Sequence, residues 1–288
     1  MEKPIWRVGR AKSLLFLLFL LVCFVMMYQH NASSSRPVNV VRSLIIADDG
    51  LNGAAISQED DRLIAKIRTK YLLPPPAADV PLNLTDPQEF DTSMGQSQVV
   101  KRLLKFKRHG FFIECGALDG EIRSNTLYME KYLGWTGLLI EGDPSNYALM
   151  VHKHRKAWLS PACLSLKTYP SVVSFEQNFN MGQVSHYPAG HSQSGYVDVQ
   201  CFPLYSFLLA LNQTTVDYFS LDVEGAELEV LKTIPWSKVD IKVLSVEFIH
   251  GPQGKDALED YMKSLGYRVV ETVIHSNNLA NDFIFVKD

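Results

Sequence analysis

Residues 112–126, with the sequence FIECGALDGEIRSNT, contain the pattern that decides the fold of this chain. An apolar strand leads into a turn with Gly116 and Gly120, and a segment of helical character follows. A second apolar run, LLIEGDP at 138–144, follows about twenty residues later and includes Glu141. We interpret these runs as neighbouring strands of a β-α-β unit, with Glu141 at the end of the second strand.

The turn and Glu141 have the composition of a nucleotide-like binding site. Glycines let the backbone approach a ligand, and a carboxylate after the second strand can accept hydrogen bonds from both hydroxyls of a ribose. Leu118 replaces the middle glycine of a dinucleotide fingerprint, so S-adenosylmethionine (AdoMet), which has no pyrophosphate, fits better. Ser124 and Asn125 open a predicted helix over 122–133, whose free N–H groups favour an anion. The alternative is an ordinary turn followed by a surface acid.

The N-terminal residues predict a membrane anchor. Residues 13–28 are apolar and uncharged, and basic residues precede them, so we expect a cytosolic tail over 1–12 and a luminal remainder. The run is short for a span, which suits the endoplasmic reticulum and Golgi, with endosome or plasma membrane as further destinations. A cleaved signal peptide is the alternative, although Tyr28 and the residues after it form a poor cleavage site. Residues 29–93 are predicted to form a largely irregular stem.

Composition, cysteines and sequons narrow the class of protein. The net charge is −3 and no basic run follows the first dozen residues, which argues against a nucleic-acid partner. Sequons at Asn31, Asn83 and Asn212 agree with a luminal glycoprotein. Because Cys115 lies on the predicted buried strand, Cys163–Cys201 is the disulfide that we favour. No cysteine or histidine spacing indicates a metal site, and we predict none.

Residues 94–288 predict one α/β domain. Strands alternate with helices, which predicts a mostly parallel sheet with helices on both faces and a ligand at the carboxyl ends of the strands. Residues 165–202 are less regular, with strands predicted over 172–176 and 196–202. The last two strands, 267–273 and 282–286, are predicted to form a hairpin at the sheet edge.

A second group of acids follows another predicted strand, in YFSLDVEGAELEVLKTI at 218–234. Asp222 ends the strand and is predicted to face the ligand, and Glu224 and Glu227 follow in the turn and the first helical turn. The alternative is that these acids cap the helix and form the turn. Next to them in the fold, Glu247 and His250 end the following strand, where His250 is a candidate general base.

The pieces ECGALDG, IEGDP and LDVEGAELEVL, in this order, resemble the FkbM family of AdoMet-dependent methyltransferases across residues 96–287. The resemblance implies a seven-stranded Rossmann-like class I methyltransferase fold and O-methylation of small molecules and sugars. It implies that Asp222 lies beside the transferred methyl group. It implies cofactor contacts from Glu114, Gly116, Asp119, Gly120 and Glu141.

Within the family the sequence looks closest to the Star-like proteins of arthropods. This likeness rests on the short cytosolic N-terminus, the anchor, the stem and residues 94–121. It implies a role in export of membrane-tethered growth-factor ligands of the epidermal growth factor receptor. Two hypotheses follow. The chain is a luminal O-methyltransferase with a glycan among the candidate acceptors, or it is a trafficking factor that uses the same fold as a binding surface.

Overall fold

The structure is a computed structural model that describes residues 49–190, 193–275 and 279–287. The predicted tail, the predicted anchor and the first part of the predicted stem lie outside these residues. Within the described ranges, no helix has both the length and the apolar character needed to cross a membrane.

A seven-stranded sheet forms the centre of the domain. Its order is β10-β11-β9-β8-β1-β2-β3, and every neighbouring pair is parallel except the two that involve β11. The strands are β1 (Phe111–Cys115), β2 (Thr136–Ile140), β3 (Trp158–Ser160), β8 (Thr215–Leu221), β9 (Asp240–Glu247), β10 (Tyr267–Ile274) and β11 (Asn281–Lys287). The predicted parallel sheet and the terminal hairpin are confirmed, with β10 at the edge.

Helices cover the sheet because each has an apolar face to bury. They are α1 (Asp61–Lys66, continued as a π-helix over Ile67–Tyr71), α2 (Gln96–Leu103), α3 (Leu127–Leu133), α4 (Pro144–Val151), α5 (Leu204–Ala210), α6 (Glu227–Thr233) and α7 (Gly254–Ser264). The start of α4 shows how local sequence determines where a helix begins. Pro144 occupies the first turn, where its missing N–H costs nothing, and the Asp143 carboxylate accepts a hydrogen bond from the Ser145 N–H.

The order in which successive strands are added to the sheet reverses between β3 and β8, on the two sides of β1. Strands β2 and β3 extend the sheet to one side of β1, and β8 and β9 extend it to the other. In such a sheet the connections on the two sides diverge and leave a crevice at the carboxyl ends of the strands. Gly116, Glu141 and Asp222 follow β1, β2 and β8 directly, so the fold brings them to this crevice.

A second sheet lies between β3 and α5 in the sequence. It has the order β4-β7-β5-β6, formed by β4 (Cys163–Leu164), β5 (Ser171–Glu176), β6 (Gln183–Val184) and β7 (Tyr196–Phe202). Cys163 and Cys201 face each other on β4 and β7 and form the predicted disulfide. The predicted strands 172–176 and 196–202 are confirmed, but the sequence did not predict that they form a separate sheet.

The described part of the predicted stem packs on the domain. Leu63, Ile67 and Tyr71 are almost fully buried, because their spacing of four residues places them on one face of α1 and the π-helix. This part of the segment that we predicted as a stem is therefore helical and joins the hydrophobic core of the domain. Leu73 then pairs with Leu159 beside β3.

Candidate active site

A cavity of about 350 Å³ opens at the carboxyl ends of the parallel strands. Its size is at the lower end of the range of small-molecule sites. Seven of the residues predicted from the sequence line it: Glu114, Gly116, Asn125, Glu141, Asp222, Glu224 and His250. The other three predicted residues, Asp119, Gly120 and Ser124, do not line it.

Glu114 is buried at the end of β1, and its carboxylate is occupied by the loop that follows. One oxygen accepts a hydrogen bond from the Asn125 N–H at 2.6 Å. The other accepts from the Ser124 hydroxyl at 2.9 Å and the Thr126 hydroxyl at 2.5 Å. Burial raises the pKa of Glu114, and the nearby Arg155 charge opposes this shift. Glu114 therefore holds the loop in place, in addition to lining the cavity.

Arg155 completes this network and was missed by the sequence analysis. Its side chain is fully buried and forms an ion pair with Glu130 at 2.9 Å. The guanidinium also donates to the Thr126 hydroxyl at 3.1 Å, the Ser124 hydroxyl at 3.2 Å and the Gly120 carbonyl. A single arginine between a helix and a strand carries no sequence signal for such burial, because its five donors find their partners only in the folded chain.

The loop between β1 and α3 corrects the predicted helix over 122–133. The helix begins only at Leu127, since Glu114 captures the Asn125 N–H and Ser124 caps the helix by accepting from the Leu127 N–H. The anion site that the sequence predicts at these N–H groups is therefore filled by the protein itself.

Asp119 and Gly120 have structural roles within the same loop. The Asp119 carboxylate accepts from the N–H groups of Glu121 and Ile122 and pairs with Lys153 at 3.3 Å. A Cβ atom at Gly120 would lie 2.9 Å from the Met150 side chain. These contacts shape the turn and hold it against α4.

Gly116 is required where β1 and β8 end side by side. Its φ is +79°, and a Cβ atom there would lie 1.9 Å from the Asp222 carbonyl oxygen. The Asp222 N–H in turn donates to the Cys115 carbonyl at 3.2 Å. The absence of a side chain at Gly116 thus lets Asp222 reach the cavity beside β1.

Glu141 lies at the opposite wall of the cavity, after β2. Its two oxygens accept hydrogen bonds from the Leu118 N–H at 2.7 Å and the Asp143 N–H at 2.8 Å. The Asn146 side chain also acts on this carboxylate, which keeps acceptor capacity for a ligand because each oxygen can accept two hydrogen bonds. Burial raises the pKa of Glu141 to about 8.

Carboxylates concentrate at the ends of β8 and β9. Burial, followed by the charge of Glu224, raises the pKa of Asp222 well above its ordinary value. Burial, followed by the charges of Asp222 and Glu224, raises the pKa of Glu247 to about 10. Glu227 is buried as well and caps the turn by accepting from the N–H groups of Val223 and Gly225. Glu227 therefore holds the turn that precedes α6, and the N-terminus of α6 has no side-chain cap from a described residue.

His250 joins two of these carboxylates. Its Nδ1 atom lies 2.9 Å from a Glu224 oxygen and 3.1 Å from a Glu247 oxygen. The imidazole is partly exposed, and its Nε2 atom makes no hydrogen bond with a described residue. When Nδ1 carries the proton and donates a hydrogen bond to Glu247, Nε2 is left as the basic nitrogen of the imidazole.

Four buried side-chain oxygens around the cavity have no hydrogen-bond partner among the described residues. They are Asn125 Oδ1, Asp222 Oδ1, Gln96 Oε1 and Glu224 Oε2, the last of which has only the ion-pair contact with His250. The orientation of Gln96 is fixed because its Nε2 donates to Asp282 at 2.8 Å, and the sequence analysis did not select this residue. Buried acceptors without donors are costly in a folded protein, so these atoms indicate a ligand that brings N–H or O–H groups.

The same acids form two sets whose ligand atoms lie within 4.8 Å of one another and could hold a metal ion. One set is Glu224, Glu247 and His250, and the other is Asp222, Glu227 and Glu247. The prediction that the protein uses no metal stays a prediction.

A comparison with models of protein families identifies the family of this chain. The model of the Methyltransferase FkbM domain matches residues 114–269, more than half of the sequence. The chain belongs to the FkbM methyltransferase family. The match begins at Glu114 and includes every lining residue discussed above except Gln96. No curated protein matches the chain significantly.

The chain is similar to several solved methyltransferases at low sequence identity. The FkbM methyltransferase of Methylobacillus flagellatus is 14% identical, with a TM-score of 0.46 over 68% of this chain. The match covers 48% of that protein, so this chain spans about half of its length. The 1,6-didemethyltoxoflavin-N1-methyltransferase of Burkholderia thailandensis, solved with S-adenosylhomocysteine, is 11% identical, with a TM-score of 0.36 over 69% of this chain and 80% of its own.

Proposed function

We propose that this FkbM-family protein binds AdoMet in the cavity and transfers its methyl group to a hydroxyl of an acceptor in the lumen of the secretory pathway. The observation that carries the proposal is the convergence of Glu141 and Asp222 on one cavity that also contains unpaired buried acceptors. Their separation in the sequence is large, and only the reversal of strand order on the two sides of β1 brings them together.

The chemistry of the lining fits AdoMet. The ribose hydroxyls match the remaining acceptor capacity of Glu141, and the ammonium group matches unpaired oxygens such as Asp222 Oδ1. The positive charge of the sulfonium is favoured by the carboxylates that follow β8 and β9. An uncharged or cationic ligand end therefore suits this wall of the cavity, whereas an isolated anion does not.

His250 is the group best placed to act as a general base. Bound AdoMet would supply an electrophilic methyl group, so the protein has to position a hydroxyl and accept its proton. Glu224 and Glu247 hold Nδ1 of His250 in place, which leaves Nε2 to take the proton of the acceptor hydroxyl. A glycan hydroxyl is the acceptor class that we favour.

Support for the luminal compartment comes from the apolar N-terminal run with its preceding basic residues and from the Cys163–Cys201 disulfide. We propose a type II membrane protein of the endoplasmic reticulum and Golgi.

Calorimetric titration of the purified full-length chain with AdoMet tests the proposal. We expect binding in the micromolar range, weakened about 10- to 100-fold by Glu141→Gln, because each hydrogen bond to a charged group contributes about 1.5–3 kcal/mol. Glu271→Gln, an exposed position on β10 outside the cavity, is the matched control and should bind like the wild type. No binding at millimolar AdoMet would end the proposal.

A Star-like role in cargo export is the second candidate function. It is supported by the N-terminal pattern and by an aromatic cluster in which Phe90 and Tyr132 are exposed and pack on the buried Tyr128, with ring centroids 5.0–5.2 Å apart. Exposed aromatic groups of this kind are common at protein interfaces. The partner would be a membrane-tethered growth-factor precursor.

A secretion assay in cells separates the two roles. If export is the function, Phe90→Ala with Tyr132→Ala should reduce release of the growth-factor precursor while AdoMet binding is unchanged. If export depends on methyl transfer, His250→Ala should reduce it instead. Normal export with both variants would exclude this second role.

A further inference from the structure

We propose that Arg123 binds the carboxylate of the methionine moiety of AdoMet and so sets the preference of the cavity for a zwitterionic ligand end. This inference rests on the proposed function, since it concerns how the same cofactor is held. Arg123 was not among the residues that the sequence analysis selected.

The methionine carboxylate of AdoMet needs a binding partner other than the N-terminus of α3. The Asn125 N–H is committed to Glu114 at 2.6 Å, and the Ser124 N–H donates to the Glu121 carbonyl at 3.2 Å. The start of α3 therefore offers no free pair of N–H groups at these two positions. A carboxylate would also be repelled by Asp222, Glu224 and Glu247 if no cation balanced them.

Arg123 is a cation in the right place. It lines the cavity and is half-buried, and among the described lining residues it alone carries a permanent positive charge. It makes no hydrogen bond or ion pair with a described residue, although its charge acts on Asp222 and Glu224. A guanidinium offers two parallel N–H donors, which match a carboxylate.

The backbone at Arg123 supports a functional role. Its φ is +56°, a conformation that residues other than glycine seldom adopt. Glu224, in the loop that follows β8, shares this feature with a φ of +56°. Such outliers concentrate at ligand sites, where the surrounding structure holds them in place.

The charges of the two loops complement a zwitterion. Asp222, with its unpaired Oδ1, suits the ammonium group, and Arg123 suits the carboxylate attached to the same carbon. A ligand that keeps the ammonium but lacks the carboxylate would leave Arg123 without its partner. The alternative is that Arg123 binds an anionic group of the methyl acceptor.

The test compares AdoMet with decarboxylated AdoMet, which retains the adenosine, the sulfonium and the amine. Both are titrated into the full-length wild type and into Arg123→Gln, with Arg102→Gln, an exposed position on α2, as the matched control. We expect Arg123→Gln to weaken AdoMet binding about 10- to 100-fold and to leave the decarboxylated ligand within about twofold of the wild type.

Three outcomes overturn the inference. Unchanged AdoMet affinity in Arg123→Gln would assign the arginine to the acceptor, and equal weakening of both ligands would assign it a general role in the loop. Failure of the wild type to bind either ligand would remove the proposed function itself. If Arg123→Gln unfolds, Arg123→Lys replaces it, and this variant should lose part of the preference for AdoMet because lysine lacks the planar fork.

Discussion

Glu114 lies near the end of β1, Asp222 follows the neighbouring parallel strand β8, and both line the cavity, but their surroundings differ. Glu114 accepts three hydrogen bonds from residues 124–126 of the loop. Asp222 has a buried oxygen with no partner, and its closest charged neighbours include Glu224 and Glu227. The first carboxylate is satisfied by the protein, and the second is not.

This difference separates scaffold from ligand site. Carboxylates with complete hydrogen bonding stabilise the folded chain, whereas a buried acceptor without a donor destabilises it unless a ligand supplies one. The loop after β1 therefore builds the cavity, and the loops after β8 and β9 hold the groups that act on a ligand. Variants of the two regions should fail in different ways.

The largest expected effect is on stability at Glu114. Glu114→Gln should lower the free energy of unfolding by about 2–4 kcal/mol, because the neutral amide weakens three hydrogen bonds and leaves the Arg155 charge less compensated. Urea denaturation of Glu114→Gln and of the control variant Glu271→Gln measures this loss in the free energy of unfolding. A loss below about 0.5 kcal/mol, the size of an ordinary surface effect, would show that Glu114 does not support the loop.

The opposite pattern is expected at Asp222. Asp222→Asn removes a charge from a repulsive group, so stability should be unchanged or raised, while AdoMet binding weakens about 10- to 100-fold. Urea denaturation of Asp222→Asn measures its stability, and calorimetric titration with AdoMet measures its affinity. A strong loss of stability with normal binding would reverse the roles that we assign to the two regions.

A smaller effect is expected for Glu247, whose pKa is raised to about 10 from an ordinary value of 4.5. Between these values the unfolded chain releases the proton more readily than the folded chain, so the free energy of unfolding falls as the pH rises. Glu247→Gln should therefore stabilise the protein by about 1–2 kcal/mol at pH 8 and by less at pH 5, with loss of the His250 contact offsetting part of the gain. Thermal unfolding of Glu247→Gln at both pH values tests this prediction. A larger gain in stability at pH 5 than at pH 8 would contradict the raised pKa of Glu247.

The smallest effect concerns the pH dependence of AdoMet binding. The pKa of Glu141 is raised to about 8, and ribose hydroxyls donate to its ionised form. Binding should therefore release protons, and affinity should rise about three- to tenfold from pH 6 to pH 8. Titrations in buffers of different ionisation enthalpy detect the released protons, and Glu141→Gln should reduce the rise. A decrease of affinity with pH would contradict this role for Glu141.

Much of the fold was predictable because its signals are local. Apolar runs marked β1, β2 and β8, and glycines marked the turns, so the order of elements followed from periodicity and turn chemistry. The positions of Glu141 and Asp222 followed from the rule that parallel strands end at one edge. Cys163–Cys201 was reachable because Cys115 was assigned to a buried strand.

Other features depend on contacts between distant residues. Nothing local shows that Glu114 captures the Asn125 N–H and shortens the predicted helix, or that Arg155 is buried beside it. The sequence did not indicate a role for Gln96 or Arg123, and both became candidates because they line the cavity in the folded chain. The second sheet escaped prediction because its short strands pair across a polar loop.

A crystal structure of the full-length chain with S-adenosylhomocysteine tests the central claim most directly. We predict that the ribose hydroxyls lie within hydrogen-bonding distance of the Glu141 carboxylate and that the sulfur lies on the side of Asp222. A ligand bound elsewhere, or one whose ribose does not contact Glu141, would contradict the account.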